Sequence, residues 1–314
     1  MKTVVGIGQV VLDETIVLKS KFSLGSKIES DEIIQSVGGP VSSAVIFSRY
    51  MGANAYFFTS LAKDKEGYFI RDFFDSLGIS VLLTFQSKTQ KNIVLTHPSG
   101  ERTIIKDKTS SKTVKIDKSL LALADIIFLD RHQTGVFDQI ITYKKPEALI
   151  IFDPSTEVSL RNLLVLRQIK YPIVPYEFIL KYTGKGFKEN LVRLYSFLKK
   201  DFIVTLGRYG ALVYGRKLSF VPAFNIDPVD ELGAGDIFRA GFAFGILEYS
   251  DTEKAIEFAN KASALQCMKK GNSSAVPRPS EINSNFLRKK DISLSDIFDR
   301  LNNYKLKNRS YEKS

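Results

Sequence analysis

The chain has no tryptophan, one cysteine (Cys267), two histidines (His97 and His132) and three methionines in 314 residues. A single cysteine excludes an intramolecular disulfide framework and any cysteine-built zinc site. Two histidines argue equally against a histidine-built metal centre. No apolar run approaches the ~18–20 residues that a membrane-spanning helix needs. The amino terminus, Met1-Lys2-Thr3-Val4-Val5-Gly6, is short and runs straight into glycine, so it reads as a strand rather than a signal peptide. There is also no G-x-x-x-x-G-K-[ST] sequence; Gly184-Lys185 lacks both the upstream glycine and the hydroxyl, which excludes a P-loop. The expectation is a soluble, cytoplasmic protein with no membrane partner.

What is present is ordinary globular material, 44% hydrophobic and 25% charged, which excludes collagen, coiled coil and wholesale disorder. The length allows one large α/β domain with insertions. The formal net charge is +11. Much of that excess sits at the end, where residues 284–314 hold eight lysines and arginines against four acids. No basic stripe with interleaved aromatics stands out elsewhere, so the charge does not argue for a nucleic-acid partner.

Short β-branched runs alternate with longer amphipathic segments, the pattern of βαβ units and a mainly parallel sheet. Strands are expected at Thr3–Ile7, Ala55–Thr59, Ile126–Leu129, Leu149–Phe152, Ile173–Val174, Phe202–Thr205 and Ala211–Tyr214. Helices are expected at Ser42–Tyr50, Gly67–Leu77, Asn190–Lys199, Asp236–Glu248, Thr252–Met268 and Leu294–Asn303. In the last, Leu294, Ile297, Phe298 and Leu301 share one face at 3–4 residue spacing, so it should dock on the body and leave the basic tail, about 304–314, loose. Residues 12–37 and 90–107 break the alternation, and His97–Arg102 between two apolar runs is a hairpin signal. These strands are expected to form a small β lid on a single domain spanning 1–314.

The most informative segment runs from Asp230 to Gly241. Gly233, Ala234 and Gly235 directly precede an apolar helix, so unpaired backbone N–H groups and the positive end of the helix dipole meet in an open loop, which suits a phosphate-type anion. Asp236 at the helix start can take a proton from a hydroxyl held over that loop. Anion cradle plus carboxylate is what phosphoryl transfer to an alcohol needs. A capped helix with a glycine-rich approach accounts for the same residues equally well. Gly6-Ile7-Gly8 lacks the third glycine of a dinucleotide fingerprint.

With these residues in hand, the sequence resembles the ribokinase-like (PfkB) carbohydrate kinases. Asp230–Gly241 is similar to that family's D-[TS]-x-G-A-G-D-x-F-x-A-G signature at all but the second position, where Glu231 stands. Gly6 through Asp13 resembles the first strand ending in a sugar-binding aspartate. Gly38-Gly39 before an apolar helix resembles the amino-terminal glycine pair, and Asp64 with Gly67 fits part of a G-x-D-x-x-G stretch. Gly100-Glu101-Arg102-Thr103 resembles the G-x-R-T hairpin of the lid. Val204–Gly210 is similar to the nucleotide-side T-L-G-x-x-G turn, and Gly271-Asn272 to the loop that closes over the adenine. Two departures stand out. Ser43 replaces the asparagine that often follows the glycine pair, and Tyr176–Ile179 does not match the N-x-x-E element for magnesium and phosphate. Asp130-Arg131-His132 resembles an element of the ketohexokinase-like branch.

The resemblance implies an α/β ribokinase-like fold and an ATP-dependent, Mg²⁺-assisted sugar kinase. Asp236 would be the catalytic base, and Gly233, Ala234 and Gly235 the anion hole. Asp13, Gly38, Gly39, Ser43 and Arg102 would bind the sugar. Arg131, Thr205, Gly207, Arg208, Tyr209, Gly210, Gly271 and Asn272 would line the ATP site; no metal ligand is assigned. A ketose such as fructose is the acceptor the branch resemblance favours. A nucleoside acceptor, with Leu18, Phe22 and Ile33 as lid candidates, is the alternative within the fold. A catalytically silent nucleotide-binding regulator is the alternative outside catalysis. Cys267 reads as core and His132 as structural. Lid strands with exposed edges, and apolar residues among Ile16, Leu18, Ile93, Leu95 and Ile104, lead to the expectation of a homodimer formed through the lids.

Overall fold

A computed structural model describes residues 1–20, 23, 25–96, 102–107, 111–184, 186–284 and 287–308. The first strand, β1 (Thr3–Ile7), is apolar on both faces because helices cover both. Val4 joins one hydrophobic core, and Val5 and Ile7 join another on the opposite side. On either side of β1 lie β4 (Asn54–Leu61) and β8 (Ile126–Asp130), flanked in turn by β5 (Ser80–Phe85) and β9 (Leu149–Asp153). The sheet order is β5-β4-β1-β8-β9 and every pairing is parallel.

A second sheet of four strands is separate from the first: β10 (Ile173–Pro175), β11 (Phe202–Thr205), β12 (Gly210–Tyr214) and β13 (Ser219–Pro222), in that order. Only its β10–β11 pair is parallel. The mainly parallel sheet expected from the sequence is thus a five-stranded parallel sheet beside a mostly antiparallel one.

Helices α1 (Pro40–Tyr50), α8 (Ala234–Tyr249) and α9 (Thr252–Cys267) contribute to the core that holds Val4. Helices α3 (Lys118–Leu123), α4 (Phe137–Tyr143), α5 (Leu160–Gln168), α6 (Tyr176–Lys181) and α7 (Phe187–Leu198) contribute to the other. Helix α2 (Lys65–Ser76) is capped by Asp64, whose Oδ1 accepts from Gly67 N at 2.8 Å, and a short α10 (Pro279–Ser284) follows α9. The last helix, α11 (Leu294–Asn308), docks as expected. Ile297 and Leu301 are buried, and the Phe298 ring lies 5.8 Å from Phe187. Each such aliphatic side chain contributes roughly 1.5–3 kcal/mol on burial. Helix α11 runs on to Asn308, so residues 304–308 of the tail expected to be loose are helical, and those from 309 lie outside the described residues.

The two stretches that break the alternation form one four-stranded sheet. It contains β2 (Val11–Leu18), β3 (Ser30–Gly38), β6 (Lys91–Thr96) and β7 (Arg102–Lys106) in the order β3-β2-β6-β7. The hairpin tip His97–Glu101 and Phe22 lie outside the described residues. Asp13 pairs with Asn92 and Ser36, and Ile104 with Val94 two positions along, so Ile104 shares the face of Asp13 rather than the outer one. Leu18 is buried. The outer face instead carries Ile16, Ile33, Ile93, Leu95 and Ile105.

Candidate active site

Ligand sites in parallel α/β sheets form beyond the carboxyl ends of the strands. Here Gln9 follows β1, and Asp130 and Asp153 end β8 and β9, where their charges reach Asp236 at the start of α8. The loop before α8 is heavily scaffolded. Asp230 accepts from Leu232 N at 2.7 Å and from Gly271 N at 2.9 Å. Gln266 Nε2 donates to the carbonyls of Leu232 (3.0 Å), Asn272 (2.9 Å) and Gly271 (3.3 Å). Ser263 Oγ donates to Ala234 O at 2.8 Å. Gly233 has φ +77°, and a Cβ there would fall 2.4 Å from Asn272 Oδ1, so glycine is required for both conformation and space. Ala234 N closes a long 3.3 Å turn to Glu231 O, while the first-turn N–H groups of α8 have no helical acceptor.

Asp236 stands in that first turn with its side chain 18% exposed. The buried Arg239 guanidinium lies on the inner side of it, with Nη1 3.7 Å from Asp236 Oδ1 and Nη2 2.7 Å from Asp153 Oδ1. Burial holds the Asp236 carboxyl well above the usual carboxylate range. Asp153 and Asp130 push the same way, and Arg239 opposes them. Asp130 is fully buried and accepts from Gln9 N at 2.6 Å, His132 N at 2.9 Å and Gln133 N at 3.2 Å. Burial still pushes it up to about 7. His132 is pushed down to about 4, chiefly by burial, and stays neutral.

Asp13 lies on strand β2 of the lid itself, buried, and Asn92 Nδ2 donates to its Oδ1 at 2.8 Å. Burial raises its pKa, while Asn92 and the charge of Lys106 lower it. A Cβ on Gly38 would lie 2.1 Å from Asp13 Oδ2, so glycine there makes room for the carboxylate. Gly39 precedes α1. The Asn92 Oδ1 atom is buried without a partner, and Gln9 Nε2 donates to Gln90 Oε1 close by in the chain. A buried, unsatisfied acceptor beside a carboxylate is what a hydroxyl-bearing ligand would complete. Arg102 begins β7.

A cavity of about 370 Å³ adjoins the loop before α8. Thr205, Gly207, Arg208 and Gly210 line it from the turn after β11, and Ala234 and Gly235 from the loop. Phe224, Ile226 and Pro228 form an apolar wall opposite Ala264 of α9. A flat base and a phosphate chain fit that combination. Cys267 also lines it, and burial pushes its thiol up to about 11, so the sulfur is protonated and inert.

The structure therefore brings together most residues singled out in the sequence, and it places six of them differently. Gly271 and Asn272 do not line that 370 Å³ cavity; Gly271 borders a cleft under the lid with Thr15 and Val94. Asn272 Oδ1 accepts from Ser43 Oγ at 2.6 Å, so Ser43 is occupied in tying α1 to the loop after α9. Tyr209 lines a neighbouring cavity instead. Arg131 is ion-paired with Glu157. Ile33, 60% exposed and paired with Ile16, turns away from the Asp13 face and does not supply an apolar lid over a base. Five functional positions carried no signal in the sequence: Gln9, Asn92, Asp153, Arg239 and Gln266. Gln9, Asn92, Asp153 and Gln266 each have a partner far away in the sequence, and the i,i+3 spacing of Arg239 to Asp236 was the one available clue.

The scaffolded loop before α8, with Asp236 in its first turn and a cavity alongside, belongs to a phosphotransferase with an alcohol acceptor. The comparisons give that class: residues 1–279 match the pfkB family of carbohydrate kinases, and the chain belongs to that family. It is 23% identical to a ribokinase of Haemophilus influenzae over 89% of this chain and 97% of that one. It is 25% identical to an ATP-dependent ribose-1-phosphate kinase of Halopiger xanaduensis, over 77% and 83% respectively. An Arabidopsis thaliana ribokinase solved with ribose and ATP superposes with a TM-score of 0.78 at 19% identity, covering 90% of this chain and 98% of that one. These relatives lend no support to the expected ketose or fructose preference. No helix among the described residues is long and apolar enough to cross a membrane.

Proposed function

We propose that this protein transfers the γ-phosphoryl group of ATP to a hydroxymethyl group of a pentose-type sugar. Asp13, with Asn92 beside it, would hold ring hydroxyls under the lid and aim the hydroxymethyl group at Asp236. Asp236 would take the hydroxyl proton as the oxygen attacks phosphorus, and its raised proton affinity suits a general base. Backbone N–H groups at Gly233, Ala234 and Gly235 would receive the charge developing on the transferred group. Thr205, Gly207, Arg208 and Gly210 would line the path of the phosphate chain. The observation that carries this reading is Asp236 in the first turn of α8, where Ala234 and Gly235 line the 370 Å³ cavity and Asp236 itself meets Pro40 and Val41, just after the Gly38-Gly39 pair beside Asp13.

Magnesium would arrive with the ATP phosphates. The N-x-x-E element is missing, and no group of three or more His, Cys, Asp or Glu side chains suited to a metal occurs among the described residues; no step above depends on protein ligands to the ion. The pentose preference rests on the relatives' activities together with the buried Asp13 carboxylate and the unpartnered Asn92 amide oxygen beside it. An ADP-release screen over ribose, ribose 1-phosphate, fructose and nucleosides with ATP and magnesium tests it. Fastest turnover on a ribose compound is expected. Turnover confined to nucleosides would favour the other acceptor class, and ATP binding without turnover would favour the silent regulator.

The lid also supports a homodimer. Its outer face carries Ile33 and Ile105, 60% and 53% exposed, with Ile16, Ile93 and Leu95 beside them. Two such faces meeting about a two-fold axis would cover each other's apolar surface.

A further inference from the structure

A cavity of about 590 Å³ adjoins the nucleotide cavity, and Arg208 and Lys290 line both. Its other cations are Arg288, Lys289 and Arg300. Lys289 is taken up by Glu257 at 2.8 Å. Arg208, Arg288, Lys290 and Arg300 form no ion pair among the described residues, and the single carboxylate lining the cavity is Asp291. Glu231 acts on Arg208 only from the nucleotide side.

The cations are held rather than scattered. Residues 288–290 are bound to 223–225 by Asn225 N donating to Arg288 O at 2.7 Å and Lys290 N donating to Ala223 O at 2.8 Å. Arg300 is carried by α11, which Ile297 and Leu301 anchor in the core. Two guanidinium groups converge on Tyr209: Arg208 Nη2 donates to its hydroxyl at 3.4 Å, and the Arg300 guanidinium lies 5.9 Å from the ring centre. Both cations draw the phenol below its ordinary pKa, Arg208 foremost. Gathering like charges around one phenol costs electrostatic energy that a bound anion would offset. Paired guanidinium forks match phosphate oxygens bidentately.

We propose that this cavity is a second anion site, taking a compact phosphate-type oxyanion such as pyrophosphate while nucleotide occupies its own cavity. The proposal rests on the nucleotide cavity assigned above. Three of the four unpaired cations, Arg288, Lys290 and Arg300, lie beyond residue 279, where the family match ends, so the site belongs to this chain's carboxy-terminal segment.

Calorimetric titration of pyrophosphate into the full-length protein saturated with ADP tests it. One pyrophosphate per chain is expected, and Arg288→Ala/Arg300→Ala should weaken it at least tenfold, because both guanidinium forks beyond Arg208 are then lost. ADP affinity should stay unchanged in that variant, since neither arginine lines the nucleotide cavity. In unaltered protein bound to ADP, pyrophosphate should also shield Arg288 and Arg300 from phenylglyoxal, read by mass spectrometry. The proposal is overturned if ADP abolishes pyrophosphate binding, if chloride at matched ionic strength binds as well, or if neither arginine is shielded. Failure of ADP itself to bind would instead overturn the nucleotide assignment.

Discussion

Arg239 gives its closer contact to Asp153, at 2.7 Å, and leaves Asp236 at 3.7 Å. The guanidinium is buried, so this division matters: Asp236 is only partly neutralised and still feels the negative charges of Asp153 and Asp130. A carboxylate whose proton affinity is raised in this way is a stronger general base than one facing solvent.

Asp153→Asn removes one of those charges and frees Arg239 to pair with Asp236. Both changes lower the Asp236 pKa. The acid limb of the kcat/KM pH profile, where the base becomes protonated, should therefore move to lower pH. A limb that stays in place or moves upward contradicts the coupling.

Asp130 provides a prediction for stability. Its pKa rises from 3.8 to about 7 on folding, so between those values the folded protein binds more protons than the unfolded chain. Stability must then fall as pH rises through that window. Asp130→Asn cannot titrate, and its denaturant midpoint should show a flatter dependence on pH across the same range. An unchanged slope contradicts the burial account.

Asp13→Ala should raise the KM for the sugar while leaving that for ATP nearly unchanged. Each lost charged hydrogen bond is worth about 1.5–3 kcal/mol. Asn92→Ala should act in the same direction with a smaller effect. A rise in ATP KM instead would mean that the two ends of the site are reversed.

The βαβ frame was legible in the sequence because buried parallel strands read as short apolar runs, and every strand expected from such a run is present. Strand β5 (Ser80–Phe85) was not, since it is an edge strand with Phe85 exposed. The short helices α3 to α6 offered too few turns for a period to emerge. In the site, the glycine loop and Asp236 were readable because backbone conformation and helix start are local matters. The roles of Asn272 and Ser43 were not. Ser43 lies 229 positions from its partner, and only the fold shows that its hydroxyl is spent on Asn272 rather than turned to a ligand.

The lid faces give a prediction for assembly. Light scattering at micromolar concentration should return twice the chain mass of 35.3 kDa, and Ile33→Lys/Ile105→Lys should return the single-chain mass. A wild-type protein at 35.3 kDa contradicts the dimer.

The most direct measurement of the central claim is the turnover of Asp236→Asn beside its affinity for ATP. The substitution removes the base and leaves the loop held by Asp230, Gln266 and Ser263. Turnover should fall by about 10²–10⁴-fold, with the ATP dissociation constant close to that of the unaltered protein. A variant that keeps more than about a tenth of the original kcat would contradict Asp236 as the general base, because that loss is far smaller than removing such a group produces.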